Sequence, residues 1–117
     1  MKAVLYCEDN QGVREAIAEN LEMRWPQARI ITADTLFSAL DRAKENKNLE
    51  LVITDGDLPD GKGWDLASQL RGQGYSGPII YLGGTNIPDD KEDLFSDICQ
   101  KGEHESFIAT VRKYLGS

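Results

Sequence analysis

The stretch LVITDGDLPDGKG, residues 51–63, runs from apolar residues directly into a set of carboxylates. Leu51, Val52 and Ile53 form a continuous apolar run, the pattern of a strand covered on both faces. Asp55 ends that run, and Gly56, Asp57, Leu58, Pro59, Asp60 and Gly61 have the composition of a loop. Three acids this close repel one another, so the stretch points to a cation or to chemistry on phosphate.

Four further runs read as strands: residues 3–7, 28–32, 78–82 and a weaker 98–99. Between them lie segments with helical period. Val13, Ala16, Ile17 and Leu21 mark a first helix, and Leu36, Ala39, Leu40 and Ala43 a second, for which Asp34 is the expected N-cap. Leu66, Ala67 and Leu70 mark a third, stopped by Gly72 and Gly74; Phe107, Ile108, Val111 and Leu115 mark the last. The acidic stretch 88–95 leaves room only for a short helix. This alternation predicts an α/β fold over residues 1–117 as one domain: a doubly wound, five-stranded parallel sheet with helices on both faces and right-handed crossovers. The common strand order for such a sheet is 2-1-3-4-5.

In doubly wound sheets the site lies outside the carboxyl ends of the strands, and this order makes the first and third strands neighbours. Glu8 and Asp9 follow the first strand, Asp55 follows the third, and Lys101 lies just past the fifth. Three carboxylates and a lysine therefore converge from distant parts of the chain. Hard oxygen donors without His or Cys favour Mg²⁺ or Mn²⁺ over zinc or copper. A carboxylate can also act as a nucleophile toward phosphorus, and a lysine can answer the charge that develops.

Composition narrows the classes of function. The chain has 117 residues, 40% hydrophobic and 28% charged, with a formal net charge of -7. Such a charge argues against direct nucleic-acid binding, which needs a Lys/Arg surface. The opening MKAVLYCED is too short in apolar residues for a signal peptide or a membrane span. Cys7 and Cys99 lie far apart in apolar runs and are expected to be buried free thiols of a cytoplasmic protein.

The acid pair in YCED, the loop TDGDLPDGKG and the lysine in ICQK, in this order and each at a strand end, resemble the receiver domain of two-component response regulators. The resemblance covers the whole chain in element order. It implies that Asp55 is the phosphoacceptor and also a metal ligand, Asp9 a direct Mg²⁺ ligand, Glu8 a ligand through a metal-bound water and Asp57 a ligand through its backbone carbonyl. Lys101 would pair with the phosphoryl group. The implied phosphodonor is a histidine kinase or a histidine phosphotransfer protein, with small acyl phosphates able to substitute, and the domain phosphorylates and dephosphorylates itself rather than turning over a separate substrate. No further domain follows Ser117, so the expected output is an interface with a downstream protein.

The chain departs from the family pattern at three places. Gly83 stands where the family carries Ser or Thr at the end of the fourth strand; Thr85 is the candidate replacement for that hydroxyl. Ile98 stands where the fifth strand usually carries an aromatic, and Gly102 follows Lys101 in place of proline.

Other readings remain open beside this one. A receiver fold that no longer takes phosphate and serves as a docking module is the main alternative. A haloacid-dehalogenase-like phosphatase fits less well, because its Asp-x-Asp belongs after the first strand. An EF-hand fails because its fifth and sixth positions, counted from Asp55, hold Pro59 and Asp60. Asp60 reads as a turn residue, His104 as exposed near the start of the last helix, and the acids around Asp90 as a solvated face. Trp25 reads as a cap on the first helix, and Trp64 as a packing residue placed to report on the acid loop.

Overall fold

A computed structural model describes residues 2–84 and 86–116. The elements run β1 (Lys2–Cys7), α1 (Gln11–Arg24), β2 (Ala28–Ala33), α2 (Leu36–Glu45), β3 (Leu49–Asp55), β4 (Asp57–Leu58), β5 (Gly61–Lys62), α3 (Gly63–Gly72), β6 (Ile79–Leu82), a 3₁₀ segment (Asp89–Leu94), β7 (Asp97–Cys99) and α4 (His104–Leu115). The main sheet has the order β2-β1-β3-β6-β7 and is parallel throughout. With β4 and β5 set aside as a small antiparallel hairpin, this is the expected 2-1-3-4-5 order.

The strand period of two divides the core between the two faces of the sheet. Leu5, Cys7, Val52 and Ile79 pack with Leu36 and Ala39 of α2 and with Leu66 and Leu70 of α3. Val4, Tyr6, Ile53 and Ile80 pack with Leu21 of α1 and with Phe107, Ile108 and Val111 of α4. Val4, Leu5, Leu51, Val52 and Ile53 have no exposed surface, and each such side chain contributes about 1.5–3 kcal/mol by leaving water. β1 and β3, the two strands that end in site residues, are thus the most deeply held.

Local chemistry sets the helix ends. Asn10 Oδ1 accepts the Val13 amide at 3.0 Å and caps α1. For α2 the cap is Thr35, whose Oγ1 accepts the Ser38 amide at 2.9 Å, and not Asp34. Asp34 is one residue too early to reach that amide, and its carboxylate instead accepts the Ser38 hydroxyl at 3.2 Å. In α1, Ala18 is buried and Ala16 exposed, a small rotation from the face the sequence suggests. Trp25 closes α1 as its C-cap and donates from Nε1 to the Gly116 carbonyl at 2.7 Å. The expected short helix near residue 90 is a single 3₁₀ segment with no fully buried residue; only Leu94 at its end packs against the core, and Arg71 donates to the Leu94 carbonyl at 3.0 Å.

Candidate metal centre and nucleophile

β1 and β3 pair directly, Cys7 opposite Thr54, so the residues that follow them leave the sheet side by side. Carboxylate oxygens of Glu8, Asp9 and Asp55 all lie within 4.8 Å of one another. Glu8 is 1% exposed and Asp55 6% exposed, while Asp9 faces solvent. Lys101 enters from the turn after β7 and places Nζ 2.9 Å from Glu8 Oε1 and 3.0 Å from Asp55 Oδ1. One cation thus bridges the two buried acids, which makes their burial tolerable.

The backbone fixes the remaining oxygens. Asp55 Oδ1 accepts the Gly56 amide at 2.7 Å, and Glu8 Oε2 accepts the Asn10 amide at 3.1 Å. Arg14 Nη1 donates to the Glu8 carbonyl at 3.0 Å, holding the turn that carries the acid pair. Burial raises the Glu8 carboxyl above its ordinary range, an effect that Lys101 and the Asn10 amide oppose. The Lys101 ammonium is raised as well: partial burial lowers it, and the Glu8 and Asp55 carboxylates outweigh that.

The loop after β3 is closed by a short backbone approach. Gly63, the first residue of α3, donates its amide to the Gly56 carbonyl at 2.9 Å. A Cβ at position 63 would lie 2.3 Å from the Asp55 carbonyl oxygen, so only glycine fits there. Asp57 lies in β4, and its exposed carboxylate pairs with Lys62 across the hairpin. Lys62 Nζ also sits 5.9 Å from the centre of the Trp64 ring, which places Trp64 against this loop.

Asp60 is more than a turn residue. Its two oxygens accept the amides of Leu36 at 2.8 Å and Phe37 at 3.0 Å, so the acid loop caps the N-terminus of α2 from outside that helix. Desolvation pushes the Asp60 carboxyl up, but these amides outweigh it and hold it below the ordinary range. Nothing in the local sequence signals Asp60, Gly63 or Arg14, because each acts through a partner distant in sequence or in backbone conformation.

The structure brings Glu8, Asp9, Asp55 and Lys101 together and sets Asp57 at the rim. Gly83 is buried and donates its amide to the Cys99 carbonyl at 3.2 Å, and it offers no hydroxyl. Thr85 lies outside the described residues. Cys7 and Cys99 are buried free thiols; burial pushes Cys7 up to about 12, so it remains a protonated core residue rather than a ligand. His104 is exposed at the first position of α4.

The donor set is one of carboxylate oxygens, from Glu8, Asp9 and Asp55. Such hard donors fit a cation of the Mg²⁺ class, which takes one or two carboxylates and keeps the rest of its shell for water and phosphate. No helix of the described residues is long and apolar enough to cross a membrane.

Comparison with known proteins agrees with this geometry. Residues 4–100 match the family described as the response regulator receiver domain. The transcriptional regulatory protein KdpE of Mycobacterium tuberculosis is 36% identical over 91 residues, covering 78% of this chain and 38% of the relative. The transcriptional regulatory protein CitB of Klebsiella pneumoniae is 30% identical over 108 residues, covering 92% of this chain and 44% of the relative. The chain therefore spans about two fifths of the length of these curated relatives. Among solved structures, the response regulator TrrA of Thermotoga maritima, in complex with Mg²⁺ and a beryllium fluoride, superposes with a TM-score of 0.87 at 25% identity, covering 98% of this chain and 100% of that one.

Proposed function

The chain belongs to the response regulator receiver domains of two-component signalling, and from that premise we propose that it takes a phosphoryl group from a phosphohistidine onto Asp55 and signals through a protein interface. The observation that carries this reading is the bridge of Lys101 between Asp55 Oδ1 and Glu8 Oε1, with Asp9 alongside. Asp55 is buried, fixed by the Gly56 amide, and placed at the end of a rigid strand, as a nucleophile requires.

In the proposed step an Asp55 carboxylate oxygen attacks phosphorus. The new O–P bond forms as the N–P bond of the phosphohistidine breaks, and the histidine nitrogen leaves with the electron pair and takes up a proton. Lys101 faces the charge that gathers on the phosphoryl oxygens. Glu8, Asp9, Asp55 and the Asp57 backbone carbonyl would hold Mg²⁺ or Mn²⁺, with Glu8 acting through a water. That cation supplies neutralising charge to the phosphoryl oxygens. Hydrolysis returns Asp55 to its free carboxylate, so the domain is a phosphoacceptor rather than an enzyme with an external substrate.

The donor would be a histidine kinase or a histidine phosphotransfer protein. With a net charge of -7, the 117 residues themselves are unsuited to contact DNA or RNA, and a protein surface is the proposed output. We take residues 1–117 as one receiver unit acting in the cytoplasm.

The test is labelling from a small acyl phosphate with Mg²⁺ present. Wild type should take label, and Asp55→Asn should take none while keeping the wild-type circular dichroism spectrum. Label on another residue, or full label in the variant, would refute the assignment. No label in wild type would favour the docking-module alternative.

A further inference from the structure

Gly56 and Gly83 converge on one side chain. Tyr81 is the third residue of β6 and 1% exposed. A Cβ at Gly56 would lie 2.1 Å from the Tyr81 hydroxyl oxygen and 2.8 Å from Cζ. A Cβ at Gly83 would lie 3.0 Å from the Gly56 nitrogen and 3.2 Å from the Tyr81 ring. The tip of Tyr81 therefore abuts Gly56, whose amide is the one bound by Asp55 Oδ1. The same ring meets Phe95 edge-on, centroids 5.2 Å apart at 68°. Phe95 directly follows the Asp89–Leu94 segment.

We propose that Tyr81 is a positioning residue for the phosphoryl site: its hydroxyl end fixes the Gly56 peptide, and its ring carries the state of that peptide to residues 89–95. The inference rests on the phosphoacceptor reading of Asp55. Phosphorylation turns the Asp55 carboxylate into a neutral acyl group bearing a phosphoryl anion, so the Gly56 amide faces a different set of acceptors. Any shift of that peptide toward β6 meets the hydroxyl of a buried ring. A close-packed interior passes such a displacement on rather than absorbing it. Phe95 is half-buried against the core, and of the segment before it only Leu94 reaches that core while the acids stay outside, so a displacement of the ring is passed to residues 89–95. Gly83 offers no hydroxyl and Ile98 is 50% exposed, which leaves Tyr81 as the described aromatic that joins the acid loop to this edge.

The experiment adds Mg²⁺ and beryllofluoride to the full chain, with Trp64 fluorescence reporting binding and amide NMR reporting residues 89–95. Wild type should respond in both. Tyr81→Phe keeps the ring and removes the hydroxyl; it should halve the amide shifts at 89–95 or reduce them further, and move the beryllofluoride midpoint at least threefold. Phe95→Leu should reduce the same amide shifts and leave the midpoint in place, and it carries the test if Tyr81→Phe does not fold. Full-size shifts in the variants would make Tyr81 a core filler and overturn the proposal. A wild type that binds by Trp64 but whose 89–95 amides stay still would overturn it while leaving the receiver reading intact. A wild type silent in both measurements would overturn both.

Discussion

The two ends of the sheet's carboxyl edge are built differently. At one end β1 pairs with β2 over six register positions and also with β3, and the acids that follow are fixed by amides, by Arg14 and by Lys101. At the other end β7 pairs with β6 over three positions, Ile98 is half exposed, and the segment before β7 is a 3₁₀ turn with no buried residue. The acid cluster and its lysine are held by several bonds, whereas the β7 edge is thin and acidic. The chemistry needs atoms placed within tenths of an ångström; a recognition surface needs only to differ between two states.

Gly63→Ala is the strongest way to break this contrast. Its methyl would be forced against the Asp55 carbonyl, and the expected cost is about 2–3 kcal/mol in urea unfolding, as for an overpacked core. A cost below about 0.5 kcal/mol would mean that the acid loop is as pliable as the opposite edge.

Lys101→Ala comes next. It should weaken the beryllofluoride-dependent response about tenfold, a loss of about 1.4 kcal/mol, and weaken Mg²⁺ binding less, because its removal also leaves the acids more negative. Equal losses in the two titrations would argue against its pairing with the phosphoryl group.

A pH series sharpens the picture at β7. The Tyr114 hydroxyl bonded to Asp97 holds that carboxyl below its ordinary value of 3.8, with desolvation opposing and Lys113 assisting. A depressed carboxyl contributes stability that is complete above the ordinary value and is lost as pH falls through and below it. The stability gap between wild type and Tyr114→Phe, about 1 kcal/mol at pH 6, should therefore narrow on acidification to pH 2. A gap that widens would place the linkage elsewhere.

Ile98→Tyr should do least, within about 0.5 kcal/mol, because the side chain is half exposed on a short edge strand. A large effect in thermal unfolding would show that the β7 edge is packed more tightly than its burial implies.

Much of the architecture was legible in the sequence because β1, β3 and β6 are continuous apolar runs and the helices between them keep their period. Once the strand order followed from the alternation, the convergence of Glu8, Asp9, Asp55 and Lys101 followed from where the runs end. What stayed hidden depends on partners that no local pattern names. Asp60 caps a helix that precedes it by twenty-odd residues. Thr35 rather than Asp34 caps α2 because adjacent cap-forming residues differ only in register. Gly63 and Tyr81 matter through close approaches to Asp55 and Gly56 that exist only in the folded chain.

The contact between Gly56 and Tyr81 also constrains how this sequence can drift. While the tyrosine remains where it is, any side chain at position 56 collides with its buried ring, so substitutions there are closed to neutral change. They open only after position 81 has first become smaller. The two sites can diverge in one order and not in the other, and that asymmetry should appear across descendants of this sequence as a tyrosine at 81 found only with glycine at 56.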